Sequence, residues 1–135
     1  ADDLVFVVFV GECVATHADN FGTEIMVVRR AGKQIASYPI AGGTTLVAAR
    51  DVTGAGRTEL LLTSGFTNQG ITEIHASLVR LGAKTIDTIV DLGKVYEDNC
   101  GSGMTGSQTV SSRVSLNLSG PKVTPVLETS TRKCP

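Results

Sequence analysis

Tryptophan is absent from this chain, and two tyrosines and four phenylalanines are its only aromatic residues. The longest apolar run, Leu4 to Val10, is far short of the roughly 20 residues a membrane-crossing helix needs, so insertion into a bilayer by a helix is excluded and the run is expected as a buried strand. Neither sign of charge dominates: 12 Lys and Arg stand against 13 Asp and Glu. Arg29–Arg30 and Arg132–Lys133 are the only adjacent basic pairs, which leaves a phosphate backbone nothing to grip, and nucleic acid is not an expected partner. Histidine is scarce as well. Cys13 and His17 have the spacing of half a zinc site, but no second pair completes it. His75 falls in an alternating stretch, on the face opposite Ile74, where solvent is expected. No G-x-S-x-G elbow is present and nothing pairs a nucleophile with a base, so no catalytic residue is expected.

Periodic runs of helix formers are also missing. What is plentiful is Val, Ile, Thr and 15 glycines, which points to an all-β chain. A length of 135 residues suits one domain, residues 1–135. The start Ala1-Asp2-Asp3 suits a mature end left by signal cleavage, and the expected location is extracellular or periplasmic. Three cysteines allow three alternative single disulfides. Cys100 and Cys134 both lie in loop-like contexts, so that pair is expected, with Cys13 unpaired or bonded to another chain.

Internal similarity organises the chain into units of roughly 48 residues. Gly22-Thr23-Glu24-Ile25, followed by Ala31-Gly32-Lys33, is echoed by Ile71-Thr72-Glu73-Ile74 and Gly82-Ala83-Lys84. Asp51-Val52-Thr53-Gly54-Ala55-Gly56 is echoed by Asp98-Asn99-Cys100-Gly101-Ser102-Gly103. Joined, the echoes define an antiparallel four-stranded unit, complete over residues 44–93: Thr44 to Val52, Glu59 to Ser64, Thr72 to Leu81 and Thr85 to Leu92, closed by Gly93 as Gly43 closes the strand before the unit. Residues 1–43 form a partial unit that lacks its opening strand. Residues 94–135 form a divergent one, with strands at Val95 to Asp98, Val110 to Leu118 and Val123 to Thr129. The units are expected to be propeller-blade-like, with a β-sandwich as the alternative stacking.

The stretch from Asp51 to Leu62 resembles the loop and following strand of FG-GAP or VCBS-type repeats, the blades of integrin-α-like β-propellers. That resemblance implies a calcium loop. Here it is degenerate: Asp51 and Glu59 bring carboxylates and Thr53 a hydroxyl, but Ala55 brings no ligand, and a cation that wants six to eight oxygens is poorly served. A glycine-rich turn that keeps its shape without calcium is expected, and no other cofactor.

Gly101-Ser102-Gly103-Met104-Thr105-Gly106 has the letters of a dinucleotide fingerprint, but a β-like stretch follows where a helix is required, so a plain loop is expected. Asn117-Leu118-Ser119 is an N-glycosylation sequon. Phe6 and Phe9 sit in the most apolar strand and are expected in the core. With both end units unfinished, the sequence suggests a non-catalytic structural or adhesive protein that self-associates by completing strand edges. Its assembly strand would carry Leu4, Phe6, Val8 and Val10. The alternatives are a propeller-like module that binds an extracellular protein or glycan and, last, a secreted hydrolase.

Overall fold

The computed structural model describes residues 4–10, 23–120 and 122–135; Cys13 and His17 lie outside the described residues. It is all-β. Three strands, β1 (Leu4–Val10), β2 (Thr23–Arg30) and β3 (Lys33–Ile40), form one antiparallel sheet in that order. Six more form a second: β4 (Thr44–Arg50), β5 (Glu59–Asn68), β6 (Ile71–Leu81), β7 (Ile86–Asp98), β8 (Gln108–Asn117) and β9 (Thr124–Lys133), again ordered as in the chain. A short 3-10 turn, Cys100–Ser102, separates β7 from β8. Among the described residues the sheets close into neither a barrel nor a propeller.

Turn chemistry sets the register. Ala31-Gly32 and Gln69-Gly70 join β2 to β3 and β5 to β6 as two-residue turns with positive φ at both positions (48° and 80°, 49° and 77°), the twist that tight hairpins favour. Gly70 has a second reason to be glycine, since a Cβ there would collide with the backbone of Gly101. The Gln69-Gly70 turn places Asn68 opposite Ile71 and carries the pairing unbroken to Glu59 opposite Arg80. The two prolines within strands, Pro39 and Pro125, sit on β3 and β9, each paired along one edge among the described residues, where a missing N–H donor is tolerated.

The three-stranded sheet lies face to face on the β4–β5–β6 part of the larger one. Val28 and Tyr38 from the first meet Leu60, Leu62 and Val79 from the second, with Val5, Ala36, Ile40 and Leu46 packed around them. The Tyr38 hydroxyl donates to Gly82 O at 2.7 Å, tying the sheets together across the core. Strand alternation sends Leu61, Ala76 and Leu78 to the opposite face of the large sheet, where Ala76 and Leu78 are buried and Leu61 is half-buried.

Two expectations change here. Val95 to Asp98 is not a separate strand: β7 runs through Gly93, whose φ of 70° accommodates a register shift opposite Ala76, and the sheet continues into β8. Leu4 to Val10 is not a fully buried strand. Val5 packs on the core while Leu4, Phe6 and Val8 alternate outward and stay exposed (58 %, 44 % and 44 %), so Phe6 is not a core residue.

Candidate functional site

The loop 51–58 that suggested calcium is closed by its own protein partners. Asp51 Oδ1 accepts from Ala55 N at 3.1 Å and Oδ2 from Gly56 N at 2.8 Å, so both oxygens are turned onto the glycine-rich turn. Glu59, the first residue of β5, is completely buried. Its Oε2 accepts from Val52 N at 2.7 Å and Thr53 N at 3.1 Å, and its Oε1 accepts from the Thr53 hydroxyl at 2.8 Å and from the Arg80 guanidinium. Burial pushes the Glu59 carboxyl up, but Arg80, the Thr53 hydroxyl and the two N–H groups together outweigh it and hold the pKa at about 2. A carboxylate saturated in this way, with a cation already on it, is not a calcium ligand. The donor set of Asp51, Thr53 and Glu59 does not fit the metal; it staples a loop.

Arg80 is not among the residues the sequence singles out, although its position carries a signal. A two-residue turn at Gln69-Gly70 places residues 59 and 80 directly opposite, and opposite charges facing each other across a hairpin are a pairing to look for.

The remaining sequence candidates are placed as follows. Cys100 and Cys134 form a disulfide with Cα atoms 5.6 Å apart, joining the 3-10 turn to the residue after β9. Asp98 lies beside the two sulfurs, its Oδ1 accepting from Cys100 N at 2.9 Å; a disulfide offers no thiolate, so the group is not a metal centre in the oxidised chain. The stretch from Gly101 to Gly106 leads into β8 rather than into a helix, so its amides do not form the helix N-terminus that a pyrophosphate needs. His75 is half exposed, 3.8 Å from Glu73, in a surface cluster where Lys94 also reaches Glu73 and Glu97. Asn117 is exposed at the end of β8, its Oδ1 accepting from Ser119 N at 3.0 Å and from the Ser119 hydroxyl at 2.7 Å.

Two surfaces stand out beyond those candidates. One is β1, paired with β2 along one edge and with no other strand among the described residues, showing Leu4, Phe6 and Val8 to solvent. The other is a cavity of about 570 Å³ between the covered face of the large sheet and β8, walled by Leu61, Leu78 and Leu92 on one side and Val114 and Leu116 on the other. Comparison with protein-family models, curated proteins and solved structures finds no match to this chain.

Proposed function

We propose that this chain is a non-catalytic, exported structural or adhesive protein that associates with copies of itself through β1. One observation carries the reading. Every residue of β1 is apolar, its outward side chains Leu4, Phe6 and Val8 are exposed, and one of its edges is open among the described residues; the side chains of Phe9 and Val10 lie outside the description. Open, flat, apolar edges are what natural sheets avoid unless a strand is meant to be received there. The exposed patch continues away from the open edge onto β2, where Phe6 lies opposite Val27 and Leu4 opposite Arg29. The Cys100–Cys134 bridge suits an oxidising compartment, which supports export.

Light scattering after size exclusion tests this. The wild-type chain is expected to run as oligomers well above its 14.1 kDa monomer mass, and Phe6→Glu with Val8→Lys to return it to the monomer. Both substituted side chains face outward, so the melting temperature of the variant monomer should stay within a few degrees of a wild-type sample diluted to the monomer. A wild-type chain that stays at 14.1 kDa across a hundredfold range of concentration would overturn the reading.

A further inference from the structure

We propose that the cavity beneath β8 binds a single-chain amphiphile with an anionic head, the alkyl chain lying between Leu78 and Val114 and the head group at Arg50. This site is separate from the β1 surface and does not depend on assembly. Its volume of about 570 Å³ lies within the range of small-molecule sites. Leu78 and Leu92 in its floor are almost fully buried, and Val114 and Leu116 of β8 form the facing wall. Its walls are chiefly apolar between Leu78 and Val114, where an alkyl chain displaces little water that is well bonded, while its open side leaves a head group in reach of solvent.

Charge selects the head group. Three charged side chains line the cavity, Arg50, Asp51 and Glu59. Glu59 is neutralised by Arg80, and Asp51 is turned onto Ala55 N and Gly56 N. Arg50 is exposed at the rim and forms no ion pair among the described residues. A carboxylate, sulfate or phosphate head would complete it, and a bidentate carboxylate suits the guanidinium fork. A sugar is the poorer match, because no aromatic ring lines the walls for it to stack on.

The test is a titration of the full oxidised chain with octanoate, decanoate and 1-decanol, kept below micelle formation and followed by calorimetry and amide NMR shifts. Saturable binding of decanoate is expected, tighter than octanoate by about fourfold for each added methylene. Shifts should centre on Leu78, Leu92, Val114 and Leu116. Arg50→Gln should weaken decanoate at least tenfold and leave 1-decanol unchanged. Val114→Trp, which fills the space from the roof, should abolish binding of both. Three results would overturn the proposal: no saturable binding, equal loss of acid and alcohol in Arg50→Gln, or shifts confined to Leu4, Phe6 and Val8. If Val114→Trp does not fold, the comparison of acid with alcohol in Arg50→Gln decides alone.

Discussion

Replacing Glu59 by glutamine is expected to lower folding stability by about 3 kcal/mol, the low end for breaking a buried ion pair because Arg80 keeps some solvent contact. The carboxylate serves four donors at once: two backbone N–H groups from the loop, one hydroxyl and one guanidinium. Glutamine keeps one acceptor oxygen and turns the other position into an NH₂ donor. Whichever way the amide lies, that NH₂ faces either the Val52 and Thr53 N–H groups or Arg80, and the donors left without an acceptor are largely closed off from water. Thr53→Val removes one of the four bonds and is expected to cost only about 1 kcal/mol. Urea unfolding of the three chains would check the order. Equal stability of wild type and Glu59→Gln would mean that water reaches the loop and replaces the carboxylate.

The same residue sets a pH signature. Its folded pKa of about 2 lies below the 4.5 of an unperturbed glutamate, so on acidification the unfolded chain takes up this proton first. The stabilisation from Glu59 is therefore fully present above pH 4.5 and is lost as the pH falls toward 2. Glu73, also lowered, chiefly by its bond to Lys94, acts in the same direction from the surface. In Glu59→Gln the stability profile should flatten across that interval, and only the shallower slope from groups such as Glu73 should remain.

What the sequence revealed about this loop illustrates what it can and cannot hold. The glycine turn and the strand after it were legible, since Asp51-Val52-Thr53-Gly54-Ala55-Gly56 is local chemistry. The boundary at Gly43, between the two sheets, was legible too, because turn glycines punctuate strands. Gly93 misled for the same reason. Read alone it looks like a stop, yet opposite Ala76 it is a bulge that lets β7 continue, and only the partner strand reveals that. Leu4 to Val10 misled differently: an unbroken apolar run carries no alternation, so it cannot say whether one face or two are covered. The cavity was not legible at all. Its floor (Leu61, Leu78 and Leu92) and its roof (Val114 and Leu116) are 22 to 55 residues apart in sequence and meet only through tertiary packing, and Arg50 is set apart from the neighbouring acids only by the partners those acids take in the folded chain.

Removing the disulfide, by Cys100→Ser together with Cys134→Ser, is expected to lower stability by about 3 to 4 kcal/mol, the loop-closure estimate for a bridge spanning 34 residues. The loss should not be uniform. β8 is joined to β7 by three residue pairs, Tyr96 with Ser111, Glu97 with Val110 and Asp98 with Thr109, whereas it is joined to β9 along its whole length. The β8–β9 hairpin is thus internally firm but held to the rest of the sheet by a short ladder and the bridge. β9 contributes little to that hold, being exposed along nearly all its residues. Without the bridge the hairpin should swing away before the sheets separate, since the core around Leu60 and Val79 involves neither β8 nor β9. Hydrogen exchange would show it: amides pairing β8 with β7 should lose protection first while those of β5 and β6 keep theirs. Opening would also uncover Leu78 and Leu92, so a dye that binds apolar surface should brighten in the double variant at temperatures where the wild type stays dark. An even loss of protection over both sheets would mean instead that the bridge acts through the unfolded chain alone, and that Val114 and Leu116 hold the hairpin on the sheet by packing.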